Sequence, residues 1–110
     1  MRIEKMKFGS IIINGKEYKN DVIVTNTSVS TKESSHTITK EDIEDILLTD
    51  PDVIIIGTGT SGKVKVPKEV KVMVESNNKE MIIGKTPEVI NDFNRIKTKN
   101  KVVGIFHLTC

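Results

Sequence analysis

The residues most suited to binding a ligand form a glycine-rich loop that follows an apolar run. Val53 to Ile56 are all β-branched, and they are followed by Gly57, Thr58, Gly59, Thr60, Ser61 and Gly62, in which the glycines are spaced G-x-G-x-x-G. Glycine lets a backbone approach a ligand closely, and a strand feeding such a turn can present N–H groups to an anion. The loop is therefore a candidate anion-binding site, with Lys63 and Lys65 supplying positive charge.

This loop departs from the known nucleotide-binding patterns. The segment Lys63 to Pro67 alternates polar and apolar residues, which predicts extended chain where a dinucleotide fold begins its helix. The strand expected at 80–84 is followed by Lys85 and Thr86 rather than by an acidic residue for the ribose. Val64 after Gly62-Lys63 also excludes a Walker-type loop. A tight turn without any ligand is the alternative interpretation.

A second candidate pocket consists of His107, Thr109, Cys110 and Thr86. A thiolate needs a neighbouring base or positive field to be reactive, and His107 could provide one. In an extended strand, however, residues three apart point to opposite faces, so we expect His107 to lie beside Thr109 unless the chain turns. Two ligands do not make a zinc site and His36 is the only other histidine, so neither a metal nor a cofactor is predicted. A hydrogen-bonded histidine beside a half-buried thiol is the alternative.

Length and composition limit the class of protein. The chain has 110 residues, which suits a single domain spanning 1–110. Its net charge is only +2, it has no Trp, and its aromatic residues make up 4 %, so no nucleic-acid platform is expected. The apolar runs are far shorter than the roughly 20 residues of a membrane span. A single cysteine and a charged amino-terminal segment predict a soluble, cytoplasmic protein without an internal disulfide.

The first half of the chain is predicted to form antiparallel strands and one helix. Ile11 to Ile13 and Lys16 to Tyr18 flank Asn14-Gly15, a pair that suits a type I′ hairpin turn. The polar stretch 25–37 lacks periodicity and is predicted to be a loop. Thr39 can cap a helix that ends at Asp50-Pro51.

The second half is predicted to alternate strands and helices. The expected order is strand 53–57, helix about 67–77, strand 81–84, helix about 87–98 and strand 102–108. Pro67 and Pro87 suit first helical turns, and Thr86 is a natural N-cap. Apolar strands at 53–57 and 102–106 belong in the middle of a covered sheet. The predicted fold is therefore α/β, a three-layer single domain that has a mixed central sheet with an N-terminal antiparallel hairpin and a C-terminal βαβαβ half.

The sequence resembles a known family of small domains of unknown function, that of the adipogenesis-associated domain protein and, more distantly, a mitochondrial respiratory complex I assembly factor. The matching pieces run nearly end to end: Phe8-Gly9, Gly15 to Tyr18 with Asp21, His36, Asp42, Ile55 to Gly59, Val66-Pro67, Thr86, Phe93-Asn94 and Val103 to Cys110. The resemblance implies a three-layer fold with a mixed sheet and no established catalytic activity.

Two functions remain open. The first, which the resemblance favours, is a non-catalytic interaction or assembly domain with an unknown protein partner, including a possible homodimer that uses loops such as 25–37. The second is a small-molecule site, for an anion or for catalysis, at one end of the sheet. If the last strand runs parallel to 53–57, the glycine loop, Thr86 and residues 107–110 converge there, and if it runs antiparallel they separate.

Overall fold

The fold has three layers, with a five-stranded sheet in the middle. The computed structural model describes all 110 residues. The strands are β1 (Ile3–Lys7), β2 (Ser10–Ile13), β3 (Lys16–Tyr18), β4 (Asp21–Thr25), β5 (Val29–Lys32), β6 (Val53–Gly57), β7 (Glu80–Gly84) and β8 (Val102–Phe106). The helices are α1 (Lys40–Leu47), α2 (Lys68–Ser76) and α3 (Thr86–Ile96). The predicted α/β class and the C-terminal βαβαβ order are confirmed.

The strand order of the central sheet is β5-β4-β8-β6-β7. Strand β6 pairs in parallel with both β7 and β8, whereas β4 pairs antiparallel with β8 and β5. Every residue of β6 and β8 is buried, as expected for strands covered on both faces. The parallel pairing of β8 with β6 brings the carboxyl ends of three strands to one end of the sheet.

Each face of the central sheet carries its own apolar core. Successive side chains of a strand point to opposite faces, so Ile55 packs with α3 and the β1–β3 sheet, while Ile54 and Ile56 pack with α1 and α2. The first core contains Phe93 and Phe106, whose rings pack edge to face with their centres 5.9 Å apart. These two cores hold the ends of β6 and β8 in fixed positions.

The local turn and cap predictions are accurate in the first half of the chain. Strands β2 and β3 form an antiparallel hairpin, and Asn14 and Gly15 both have the positive φ that a type I′ turn requires. Thr39 caps α1 by accepting from the Asp42 amide, and Asp42 accepts in return from the Thr39 amide. The helix ends before Asp50, which has a positive φ.

Two local predictions were wrong. The stretch 25–37, expected to be a loop, contains the edge strand β5, which is held by pairing with β4 rather than by burial of its own side chains. Thr86, expected to be an N-cap, is the first residue of α3, and Lys85 occupies the cap position. The Thr86 hydroxyl is engaged elsewhere, at the carboxyl end of the sheet.

None of the three helices has the length and apolar character that a membrane-spanning helix needs.

Candidate functional site

The carboxyl ends of β6, β7 and β8 meet around the side chain of Thr86. Its Oγ1 donates to the His107 carbonyl at 2.7 Å and accepts from the Gly59 amide at 2.9 Å. Thr86 is fully buried, so both bonds lie out of water. The convergence that parallel pairing predicts is therefore present: the glycine loop, the start of α3 and the segment after β8 are in direct contact.

Most amides of the glycine loop bond to the chain's own oxygens. In the loop, the amide of Thr58 donates to the Gly84 carbonyl at 2.8 Å and that of Thr60 to the Thr109 carbonyl at 2.7 Å. Directly after the loop, the amide of Lys63 donates to the Cys110 carbonyl at 2.9 Å and that of Val64 to the Thr58 carbonyl at 3.1 Å. Within the loop, the amides of Ser61 and Gly62 donate to no group of the chain. The amides of Thr60 and Lys63 thus hold residues 109–110, and one adjacent pair of loop amides is left free.

Two of the loop glycines are required by close packing. A Cβ on Gly59 would lie 2.5 Å from the Cys110 carbonyl carbon, and the φ of Gly59 is +99°. A Cβ on Gly57 would lie 2.7 Å from Thr86 Oγ1 and 2.9 Å from a ring carbon of Phe106. Gly57 therefore lacks a side chain for reasons of space, and Gly59 for reasons of both space and conformation.

His107 sits in a chain of three hydrogen-bonding side chains. Its Nδ1 lies 2.7 Å from Asp21 Oδ2, and its Nε2 lies 3.0 Å from Thr109 Oγ1. Asp21 also accepts from the Leu108 amide at 3.0 Å, and both Asp21 and His107 are buried. The expected contact between the side chains of His107 and Thr109 is confirmed, because residues two apart in extended chain point to the same side.

Asp21 was missed as a site residue by sequence reasoning. It opens the apolar strand β4, and a carboxylate beside such a strand needs a buried donor, which is a signal the sequence does contain. The sequence alone does not identify that donor, because 86 positions separate Asp21 from His107. Pairing of β4 with β8 brings them together.

Cys110 lies beside two histidines, one of them unexpected. Its Sγ is 3.4 Å from Nε2 of His36, which the loop after β5 carries. The rings of His36 and His107 meet edge to face at 5.3 Å. The ligand atoms of His36, His107 and Cys110 all lie within 4.8 Å of one another, so the thiol is near the His107 ring despite their spacing of three residues.

The sequence matches a family model over residues 3–107, and the family is described as a protein of unknown function (DUF498/DUF598). The chain belongs to this family. It is 30 % identical to the conserved hypothetical protein PH1505 from Pyrococcus horikoshii OT3, with a TM-score of 0.90 and full coverage of both chains. It is also similar to the structure of MT938, at 26 % identity, a TM-score of 0.83, and coverage of 99 % of this chain and 98 % of that one.

A third structure extends the likeness in fold. It is an outer membrane protein from Bartonella henselae, which is 18 % identical with a TM-score of 0.83, covering 98 % of this chain and 94 % of that one. At that identity the likeness concerns the fold alone.

The largest surface cavity of this DUF498/DUF598 domain lies at the opposite end of the sheet. Its volume is about 590 Å³, and polar residues from 25–28 and 97–101 form most of its lining. Asn26 holds its wall together by donating to the carbonyls of Lys97 and Asn100 and accepting from the Val102 amide. None of the surface cavities is lined by Thr86, His107 or Thr109.

Two carboxyl groups with shifted pKa values also lie outside the candidate site. The hydrogen bond from Ser10 lowers the pKa of Glu17, with Lys19 and Lys7 adding smaller effects against a partial desolvation. Lys79 lowers the pKa of Asp50, first by hydrogen bonding and then by its charge. Both carboxyl groups are exposed, and each is held by a neighbouring side chain.

Proposed function

We propose that this domain is a non-catalytic interaction module that associates with a second copy of itself through the exposed edge of β7. The observation that carries the proposal is the character of this edge. Ile83 is 39 % exposed, and its neighbours Met81 and Ile82 are only partly buried. An open, apolar edge strand is a template for pairing with another chain.

The hydrogen-bonding pattern of β7 leaves two residues free to pair. The Glu80 amide donates to the Asp52 carbonyl at 3.1 Å, and the Gly84 carbonyl accepts from the Thr58 amide at 2.8 Å. In a parallel ladder alternate residues face the neighbouring strand, so Glu80, Ile82 and Gly84 bond to β6. Met81 and Ile83 then present their N–H and C=O groups outward.

This spacing suits an antiparallel pair of β7 strands related by a two-fold axis. With Ile82 on the axis, Met81 of one copy lies opposite Ile83 of the other, and the outward groups of both residues find partners. The contact is the same from both sides, as a closed dimer requires.

The opposite edge of the sheet is a weaker candidate. Strand β5, within the 25–37 stretch first considered as a contact surface, exposes Ser30 and Thr31 and ends in Lys32. Polar residues and lysine on an edge strand discourage pairing with another sheet. The apolar edge at β7 therefore fits a second copy better.

The test is the concentration dependence of the oligomeric state, measured by sedimentation velocity. We expect a reversible dimer in the wild type and at least a tenfold weaker dimer in Ile83→Lys, which places a charge at the proposed contact. Thr31→Lys on β5 is the matched control and should dimerise like the wild type, with circular dichroism confirming that both variants fold. A wild type that stays monomeric at millimolar concentration, or equal dimerisation of Ile83→Lys, would contradict the proposal.

The non-catalytic part of the proposal is supported by the burial of Thr86 and His107, neither of which lines a surface cavity. The chain Thr109–His107–Asp21 has the order of a hydroxyl, a base and an orienting carboxylate, but no cleft admits a substrate to it. A screen with ester, phosphoester and peptide substrates tests this directly. Turnover that both His107→Ala and Cys110→Ser abolish would instead support an enzyme.

Anion binding at the glycine loop is a second candidate function, favoured by the two free amides of Ser61 and Gly62. The Lys85 side chain runs close by, with its Cγ 3.6 Å from where a Gly62 Cβ would lie. Lys63 and Lys65 add charge on the loop itself. Adjacent N–H groups beside lysines form the kind of concave donor site that holds a small anion.

A further inference from the structure

His36, His107 and Cys110 form one compact group of potential metal ligands. Each offers one ligand atom, and these atoms all lie within 4.8 Å of one another. From this geometry we infer that the three side chains bind a zinc ion, in a site that is independent of the proposed dimer contact. One thiolate and two imidazoles are a donor set that zinc prefers, and three protein ligands leave a fourth position for water or another ligand.

The distances suit tetrahedral coordination after a small adjustment. Bonds of about 2.0–2.3 Å to nitrogen and sulfur place tetrahedral ligand atoms about 3.3–3.7 Å apart. The observed 3.4 Å between His36 Nε2 and Cys110 Sγ already falls in that range. The remaining separations can close by side-chain rotation, because His36 is exposed and Cys110 is only partly buried.

Asp21 prepares His107 for this role. Metal-binding histidines usually donate their second ring N–H to a carboxylate, which fixes the tautomer and the ring orientation. The 2.7 Å contact between Asp21 Oδ2 and His107 Nδ1 supplies this arrangement and directs the lone pair of Nε2 away from Asp21. Nε2 is then the metal-binding atom, and it gives up its hydrogen bond with Thr109 when zinc binds.

The backbone carrying the other two ligands is also held in place. The carbonyl of His36 accepts from the Lys65 amide at 2.8 Å, and the carbonyl of Cys110 accepts from the Lys63 amide at 2.9 Å. Both anchors belong to the segment that follows the glycine loop. The close approach of Gly59 to Cys110 fixes the position further. The loop thus serves to position zinc ligands that come from distant parts of the sequence.

The inference is tested by titrating tag-free, fully reduced protein with Zn²⁺ in a phosphine reductant, using calorimetry. Co²⁺ is the spectroscopic probe, because a thiolate ligand gives it a charge-transfer absorption band. We expect one Zn²⁺ per chain, at least tenfold weaker binding in His36→Ala and in Cys110→Ser, and no thiolate band in Cys110→Ser. Glu33→Gln, on the same loop as His36, is the matched control and should bind like the wild type.

His36 is exposed, so its variant keeps the fold, and the result for His36→Ala reports on ligation rather than on unfolding. Asp21→Asn should weaken Zn²⁺ binding about tenfold while leaving the cobalt thiolate band present, because it positions a ligand without being one. Absence of stoichiometric Zn²⁺ binding at 100-micromolar protein would overturn the inference. Binding that both His36→Ala and Cys110→Ser leave unchanged would overturn it equally.

Discussion

Asp21 and His107 form a buried pair in which Asp21 Oδ2 lies 2.7 Å from His107 Nδ1, across the antiparallel pairing of β4 with β8. The same carboxylate accepts the Leu108 amide through its other oxygen, at 3.0 Å. Asp21 therefore fastens the segment after β8 to the start of β4 by two bonds that water cannot replace.

Asp21→Ala is expected to lower the free energy of unfolding by about 2–4 kcal/mol, because it leaves two buried donors without acceptors. Chemical denaturation measures the loss. Asp45→Ala on the exposed side of α1 is the control and should change stability by no more than about 0.5 kcal/mol. Equal effects of the two variants would show that the buried pair contributes nothing specific.

Gly57→Val is expected to destabilise the protein by about 3 kcal/mol or more. A side chain at this position would overlap Thr86 Oγ1 and the Phe106 ring, both of which are buried and packed against other groups. Urea denaturation checks the loss, with Gly62→Ala as the comparison.

Gly62 has a φ of +72°, but a Cβ added there would lie no closer than 3.6 Å to any neighbouring atom, so Gly62→Ala should cost only about 1 kcal/mol. Comparing Gly57→Val with Gly62→Ala distinguishes the stability lost to steric overlap from the stability lost to a strained backbone conformation. A loss below about 0.5 kcal/mol for Gly57→Val would mean that the end of β6 can move aside.

Ser10→Ala is expected to raise the pKa of Glu17 toward its ordinary value of 4.5, because the Ser10 hydroxyl donates to Glu17 Oε2 at 2.7 Å and is the main cause of the lowered pKa. A carboxyl whose pKa is lower in the folded state stabilises the protein above its unfolded pKa and loses that effect as the pH falls through its folded pKa. The stability difference between wild type and Ser10→Ala should therefore shrink below pH 4.5. A carboxyl NMR titration measures the shift, and an unchanged pKa would exclude the hydrogen bond as its cause.

Phosphate titration followed by amide NMR tests the anion site at the glycine loop. We expect shifts centred on Ser61 and Gly62, whose amides are free, and small shifts at Thr58 and Thr60, whose amides are engaged. Added salt should weaken the response, because exposed charges are screened. Lys63→Ala should weaken it too, with Lys71→Ala on α2 as the control. No shift at millimolar phosphate would leave the loop with a structural role alone.

The parts of the fold that local pattern controls were predictable. The Asn14-Gly15 turn, the capping box at Thr39 and the buried run at 53–57 each depend on neighbouring residues, and each is found where the pattern places it. Strand β5 escaped prediction because its residues are polar and its structure comes from pairing with β4.

The candidate site was only partly predictable for a similar reason. The glycine loop and His107 stand out by residue type, but their neighbours come from remote segments: Asp21 from β4 and His36 from the loop after β5. The direction of β8 decides whether these groups meet, and that direction depends on the packing of the whole sheet. Thr86 was predicted to be an N-cap, whereas its hydroxyl bonds to the Gly59 amide and the His107 carbonyl. A threonine hydroxyl is suited to both roles, so the residue type alone does not distinguish them.

The Thr86 bridge has a consequence for the order in which the molecule opens. Its hydroxyl joins the Gly59 amide to the His107 carbonyl in a fully buried position, so that amide reaches water only when β6, α3 and the end of β8 separate together. Deuterium should therefore enter at Gly59 at the rate of global unfolding, whereas the unpaired amides of Ser61 and Gly62 exchange within the native state. A single loop would then contain a slowly exchanging and a rapidly exchanging backbone site two residues apart.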